Sequence, residues 1–315
     1  METTEQSVQP DDMLTEIIRG LSRTQKKVPS KFFYDEEGSK LFEKICRLDE
    51  YYLTDAEIRI MQMNIGEIKQ AFPARIDLIE LGSGSSTKTR LLLNHIDGIR
   101  TYYPVDISGE YLAGVASRLR RAYPRLAVKP VIADYTRPFT IPGGPDGSAG
   151  NRRIAYYPGS TIGNFTPEAA RNFLSSVAVL VGEDGGLLIG VDLKKDGEIL
   201  KAAYNDSEGM TSRFNKNLLV RMNREYDADF DPGRFRHRAV FNEEEGRIEM
   251  HLVSLISQRV QLAGYTFFFR RGETIHTENS YKYTVDEFSR LTDGIFEVKK
   301  VWTDNDHLFS VHYLE

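Results

Sequence analysis

Residues 76 to 90, IDLIELGSGSSTKTR, place an acid and two glycines where a nucleoside could be held. An apolar run (Ile76, Leu78, Ile79, Leu81) carries Glu80 near its end. Gly82 and Gly84 follow, and a helix opens at Thr87 ahead of Leu91, Leu92 and Leu93. Strand, glycine turn and helix in that order let the backbone approach a ligand and aim unpaired N–H groups at it. The dinucleotide pattern G-x-G-x-x-G is incomplete, because Thr87 stands at its third glycine, so a pyrophosphate is less well served. An acid before the glycines suits a cationic ligand, and S-adenosylmethionine (SAM) carries an ammonium and a sulfonium. Two further acids end two further predicted strands, Asp106 after TYYPV and Asp134 after AVKPVIA. Asp106 can accept from both ribose hydroxyls of a bound nucleoside, and Asp134 can take an adenine amino group. Three strand ends in series, each closing on a suitable residue, point to a class I SAM-dependent methyltransferase.

The elements that must carry these residues follow from periodicity. Residues 11 to 21 read as an amphipathic helix with Leu14, Ile17, Ile18 and Leu21 on one face. RTQKKVPSKFFYDEEG reads as a loop broken by Pro29, and Gly38 starts a helix striped by Leu41, Phe42 and Ile45. Thr54 and Glu57 have capping-box spacing for a long helix through Ile58, Met61, Ile65 and Ile68, which Pro73 ends. From Ile76 five βα-type units follow: IDLIEL, TYYPVD, AVKPVIAD, RRIAYYPG and GGLLIGVDL. The helix after the fourth strand has Thr166 as cap and Pro167 at its first position. TIPGGPDGSAGNR reads as a glycine-rich surface loop. After Leu193 come a helix around Ala202, a loop DADFDPGRF, and two strand-like runs, RIEMHLVSLIS and YTFFFRRGETIHTENS. Thr284 and Glu287 cap one more helix, and FEVKKVW and HLFSVHYL form an antiparallel hairpin. The expected fold is α/β: a Rossmann-like, seven-stranded class I methyltransferase core over residues 57–193 and 283–315. Residues 1–56 and 194–282 are expected to form a second, smaller α+β substrate-binding domain over the carboxyl ends of the strands.

Composition narrows the class. The chain has 315 residues, 40% hydrophobic and 28% charged, with a formal net charge of −5. A basic face for nucleic acid or for an anionic membrane is not indicated. Its one cysteine, Cys46, cannot form an intrachain disulfide and reads as a buried, inert thiol. No segment reaches the ~18 apolar residues of a membrane helix. The polar, acidic start METTEQSVQPDDM has neither the basic region nor the apolar stretch of a signal peptide, so a cytoplasmic enzyme is expected. The six histidines lack H-x-x-x-H spacing, and no metal is expected. No heptads or long apolar stripe demand a partner chain, so a monomer is expected.

Four stretches carry a resemblance to a known family: PSKFFYDEEGSKLFEKICRLDEYYLTDAE, IELGSGSSTKTRLLL, YYPGSTIGNF and IHTENS. Together they resemble the histidine-specific methyltransferase family, from about residue 27 to the end of the chain. The resemblance implies three methylations of the α-amino nitrogen of free L-histidine, giving hercynine, a first step toward ergothioneine. Three SAM are consumed and leave as S-adenosylhomocysteine. It implies cofactor contacts at Tyr34, Gly82, Lys88, Asp106, Asp134 and Tyr135, with Gly84 beside them in the turn. Substrate contacts are implied at Tyr51, Gly159, Thr161, Asn164, Tyr204, Glu278 and Ser280, with Met250 lining the ring pocket. Tyr51, Asn164 and Tyr204 are the residues expected nearest the reaction. Two positions depart from the family pattern: Tyr135 replaces a phenylalanine, and Leu53 replaces a proline after the two tyrosines.

The chemistry agrees with these assignments. Methyl transfer is an in-line displacement that needs a neutral amine and positioning more than acid–base groups. Asn164 could donate its amide to a carboxylate or serve its own turn. Tyr204 could add a hydroxyl. Glu278 and Ser280 lie two apart in a strand and share a face, either an exposed one or one that binds an imidazole N–H. Tyr34, Phe42 and Tyr51 offer aromatic faces to a sulfonium or a methylammonium, although Phe42 also fits plain helix packing. A tyrosine, a backbone carbonyl or water could take the proton, and water is expected. The alternative substrate is another free amino acid, such as tryptophan.

Overall fold

The computed structural model describes residues 4–5, 10–84, 87–142 and 150–315. The glycine-rich stretch expected as a surface loop lies largely outside them, at 143–149. The chain divides into two compact units.

The first unit comprises Met1–Ser7, Leu53–Lys194 and Lys282–Glu315. Its sheet is built on Ile76–Leu81, flanked by parallel strands Ile99–Asp106 and Arg152–Tyr157. Gly186–Asp192 follows in parallel, then Phe309–Leu314 and Val298–Thr303 in antiparallel. The central strands are buried throughout, as parallel strands covered on both faces must be. The seven-stranded frame of a class I methyltransferase is present, with two refinements. The third strand is split into Ala127–Val128 and Val131–Ile132, because Pro130 has no N–H to donate. Thr4–Glu5 adds a parallel edge strand beside Val131–Ile132. The chain runs from the central strand to one side, then returns to the other at Arg152. Gly82 and Gly159 therefore follow the two strands that flank the reversal of strand order, where doubly wound sheets bind ligands.

Thr54 and Glu57 do not form the expected capping box. The helix runs Tyr52–Ala71, so Thr54 already lies inside its first turn, and Glu57 is fully buried and bonded elsewhere. The box at Thr284 does form: Glu287 N–H donates to Thr284 Oγ1 (3.1 Å) and Thr284 N–H to Glu287 Oε2 (2.8 Å). Thr284→Ala is expected to cost about 1 kcal/mol in a urea melt.

His312, on the strand Phe309–Leu314, is fully buried, and burial pushes it down to about 4. It stays neutral in the fold but protonates near about 6.5 when unfolded. Stability is therefore full above about pH 6.5 and falls as pH drops toward about 4, by at most about 1.4 kcal/mol per unit for this residue. Urea melts across that window should show His312→Gln with a flatter decline than the parent.

The second unit comprises Val8–Tyr52 and Lys195–Tyr281. A four-stranded sheet runs Lys26–Lys27, Thr274–Tyr281, Arg247–Ser254, Phe235–Asn242, with a separate hairpin of Gln258–Leu262 and Tyr265–Phe269. The residues expected as a loop before Gly38 hold the short strand Lys26–Lys27 and a 3-10 turn, Ser30–Phe33. The next helix, Glu36–Ile45, starts before Gly38 because Asp35 Oδ1 accepts the Gly38 N–H at 2.7 Å. Cys46 falls just beyond that helix and is half-buried, not buried. The second expected strand run breaks at Gly272 (φ 85°) into two strands. Met210–Tyr226 is a helix with no sequence expectation behind it; Phe214, Leu218, Leu219 and Met222 form its buried stripe.

Candidate functional site

In the first unit the glycine turn has the backbone its residues allow. Gly82 and Gly84 take φ 74° and 44°, the left-handed region that side chains disfavour. Gly82 N–H donates to Val105 O at 2.9 Å, tying the turn to the neighbouring strand. A Cβ at Gly82 would sit 3.4 Å from the Tyr135 ring, whereas one at Gly84 would meet open space. Asp106 accepts Gly84 N–H (3.3 Å) and Ser108 N–H (3.0 Å). Burial raises its carboxyl above the usual range against those donors. Asp134 is buried, and Thr136 N–H (3.0 Å) and Oγ1–H both donate to its Oδ1. Tyr135 packs edge-on against Tyr157 with ring centres 5.7 Å apart, and burial keeps its hydroxyl protonated. Glu80 does not offer an exposed carboxylate: it is buried under Tyr102, whose hydroxyl donates to it, and burial lifts it to about 8 against that bond.

Lys88 is neither simply solvated nor free. Its ammonium pairs with the buried Glu57 and lies 3.5 Å from where a Cβ at Gly159 would stand. Glu57 also accepts the Gly159 N–H, at 2.9 Å to Oε2. Gly159 (φ 79°) and Ser160 (φ 56°) bend the chain after the strand Arg152–Tyr157 into a short 3-10 turn, Thr161–Asn164. Thr161 Oγ1–H donates to Pro158 O at 3.0 Å, and Ser160 Oγ accepts the Asp192 N–H at 2.9 Å. Asp192 in turn pairs with Lys282, both side chains fully buried. Gly159, Thr161 and Asn164 are thus carried on one turn, with Lys88 beside it.

In the second unit the remaining expected residues form one connected chain. Tyr34 meets Phe42 edge-on (5.6 Å between ring centres), Phe42 meets Tyr51 (6.1 Å), and Tyr51 meets Tyr204 (6.3 Å). The Tyr204 hydroxyl donates to Ser280 Oγ at 2.8 Å. Burial, with the neighbouring Tyr204 and Cys46, raises the Tyr51 hydroxyl far above its ordinary range, so it stays protonated at neutral pH. On the sheet, Met250 pairs in register with Glu278, and Ile248 with Ser280. A β-bulge between Met250 and His251 sets this alignment. It leaves Glu278 and Ser280 on the face of Met250 and turns His276 to the other face, opposite His251.

Sequence reasoning missed a buried network behind this chain. His237 Nε2–H donates to Tyr204 O (2.9 Å), and its Nδ1 accepts from Asn215 (2.9 Å). Asn215 Oδ1 accepts from Thr277 Oγ1 (2.8 Å), bracing the bulge. Sequence spacing carries no sign of it. Glu57 did leave a sign: it shares the buried stripe of its helix with Ile60, Met61 and Ile68.

On the opposite face, the ligand atoms of Glu249, His251 and His276 lie within 4.8 Å of one another. Arg247 already claims that carboxylate through Nε (2.8 Å) and Nη2 (2.7 Å), and Asn242 adds a third bond (3.0 Å). These bonds outweigh burial and hold Glu249 at about 2. Lys27 and Arg238 add positive charge nearby, which opposes a dication, and His251 Nε2 lies 3.1 Å from the second carboxylate oxygen.

A family model for the histidine-specific, SAM-dependent methyltransferases matches residues 13–315. The chain is 40% identical over 274 residues to the histidine N-alpha-methyltransferase of Mycobacterium tuberculosis (strain CDC 1551 / Oshkosh), spanning 85% of this chain and 83% of that protein. It is 37% identical over 296 residues to the histidine N-alpha-methyltransferase of Mycolicibacterium smegmatis, spanning 92% and 90%. It is 30% identical over 297 residues to ergothioneine biosynthesis protein 1 of Neurospora crassa, which covers 92% of this chain but 33% of that longer protein.

Proposed function

We infer the reaction from the family: the chain belongs to the SAM-dependent, histidine-specific methyltransferases, and it trimethylates the α-amino nitrogen of free L-histidine to hercynine, toward ergothioneine. The first unit's residues fit the co-substrate. The open space over Gly84 and the left-handed glycines leave room for a ligand against the backbone. Asp106 at its strand end is placed for ribose hydroxyls, Asp134 for an adenine amino group, and Tyr135 packs against the glycine turn. Gly82, Gly84 and Lys88 complete that contact set; within the second unit Tyr34 and Phe42 offer aromatic faces to a sulfonium. SAM supplies a methyl group made electrophilic by a sulfonium.

The observation that carries the substrate assignment is the chain Tyr51–Tyr204–Ser280 with Glu278 in register with Met250. A carboxylate beside a thioether wall suits a small ring with an N–H to give: Glu278 accepts it, Met250 packs on the ring, and Ser280 serves its other side. Within the first unit Asn164 offers its amide to a carboxylate, with the backbone at Gly159 and Thr161 beside it on the same turn; within the second, Tyr204 can offer its hydroxyl once it turns from Ser280 Oγ. The Tyr51 ring faces the amine as its charge becomes fixed, worth about 0.5–2 kcal/mol as a cation–π contact. Its hydroxyl is a poor base, because burial holds the proton on. Water therefore takes the amine proton, and the site selects the neutral amine. In this reading the first unit is the SAM-binding core and the second the histidine-binding domain. The enzyme works as a monomer in the cytoplasm, on a small molecule, without a metal, nucleic acid or membrane. The net charge of −5 argues against a basic face for nucleic acid, and among the described residues no helix is long and apolar enough to cross a membrane.

A panel of free amino acids incubated with labelled SAM tests the assignment by product mass. Histidine should gain one, two and then three methyl groups, and tryptophan none. Methylation of tryptophan in preference to histidine would transfer the assignment to that substrate.

A further inference from the structure

We propose that Glu57 is a positioning residue for methyl transfer, fixing Lys88 and the Gly159–Asn164 turn with a single carboxylate. Glu57 is fully buried on a helix whose neighbouring buried positions, Ala56, Ile60 and Met61, are apolar. A buried carboxylate is costly unless its lone pairs are satisfied, and these are: Oε2 accepts from Lys88 Nζ and from Gly159 N–H at 2.9 Å, and Oε1 lies 3.2 Å from the same N–H. The fold keeps a space for it. A Cβ at Gly190, on the strand Gly186–Asp192, would stand 2.3 Å from Glu57 Oε1. One carboxylate thereby joins the helix Tyr52–Ala71, the first turn of the helix Thr87–His95, and the turn that bears Thr161 and Asn164.

The turn is held at its next residue too, since Ser160 Oγ accepts the Asp192 N–H. Two consecutive residues are gripped from beneath, which presets the backbone before any ligand arrives. Lys88 is aimed in the same way. A lysine ammonium has three donors; Glu57 takes one and fixes the direction of the others. The inference rests on the proposed contact of Lys88 with the co-substrate. Glu57 touches neither reacting molecule and acts through Lys88 and Gly159.

The test is a double-mutant cycle on the full chain, read as S-adenosylhomocysteine affinity by calorimetry and as separate KM and kcat values. Glu57→Gln keeps the shape and an acceptor for Gly159 N–H but removes the counter-charge that holds Lys88. It should weaken S-adenosylhomocysteine and raise KM for SAM by about tenfold, leaving KM for histidine within about twofold. In a Lys88→Met background the same change should add less than about twofold, because the contact it acts through is gone. Glu57→Ala also releases the turn and should lower kcat by about a further tenfold. If Glu57→Gln alone fails to fold, Glu57→Asp keeps a counter-charge for Lys88 but shortens the reach to Gly159 N–H; it should raise KM for SAM with KM for histidine within about twofold, and wild-type values in it would count against the proposal. Wild-type affinity in Glu57→Gln, or losses that multiply in the double variant, would overturn the proposal. Binding of S-adenosylhomocysteine needs no acceptor amine, so this outcome stands apart from whether histidine is the substrate.

Discussion

Replacing Glu278 by alanine lowers kcat/KM for histidine about a hundredfold and leaves S-adenosylhomocysteine affinity within about twofold. The size follows from the contact. A hydrogen bond to a charged partner contributes about 1.5–3 kcal/mol, roughly ten- to hundredfold, and the unpaired imidazole N–H adds its own desolvation cost. The direction of the selectivity change is equally specific. Glu278 is half-buried, in register with the fully buried Met250 on one face of its sheet. A substrate without a ring N–H strands that carboxylate, and sites built this way reject such analogues strongly. Removing the carboxylate should therefore narrow the preference for histidine over tryptophan as well as lower the rate. Steady-state kinetics with both amino acids, beside calorimetry with S-adenosylhomocysteine, reads all three quantities. Equal losses in turnover and cofactor affinity would move Glu278 out of the substrate site.

Lys282→Ala should destabilise the chain by about 3–5 kcal/mol, the largest stability effect expected of any single replacement here. Lys282 and Asp192 are both fully buried and paired, so truncating the lysine removes this counter-charge from a carboxylate in the core. Asp192 also ends the strand Gly186–Asp192, and its N–H reaches Ser160 Oγ. The damage should spread to the turn that bears Asn164. Replacing the pair together, Lys282→Met with Asp192→Leu, removes both charges and should recover much of the loss, because a buried ion pair can give way to apolar residues of similar size. Urea midpoints of the single and double variants measure this. A double variant no more stable than Lys282→Ala would show that the pair contributes through its shape and bonds rather than through its charges.

The core was legible because parallel strands and glycine turns leave strong local marks. Ile76–Leu81 reads as an apolar run ending at Gly82, and the capping box of Thr284 and Glu287 forms as its spacing requires. Thr54 and Glu57 have the same spacing, yet tertiary contacts override it: Lys88 and Gly159 claim the carboxylate, and the helix starts earlier, at Tyr52. A charged residue on an apolar helical stripe was the better signal. Met210–Tyr226 was obscured by polarity, since its buried stripe of Phe214, Leu218, Leu219 and Met222 is interleaved with Arg213, Lys216, Arg221 and Arg224. For the candidate site, local pattern could nominate residues but not join them. The alignment of Met250 with Glu278 depends on a bulge, and the support of Tyr204 depends on His237, thirty-three residues away. Neither leaves a trace in spacing.

The most direct test of the central claim is the position of the methyl groups on the product. Free L-histidine incubated with the enzyme and excess SAM should yield hercynine, with all three methyl groups on the α-nitrogen and none on the ring, as read by NMR of the purified product. Methylation of an imidazole nitrogen, or no methylated histidine at any enzyme concentration, would contradict the account.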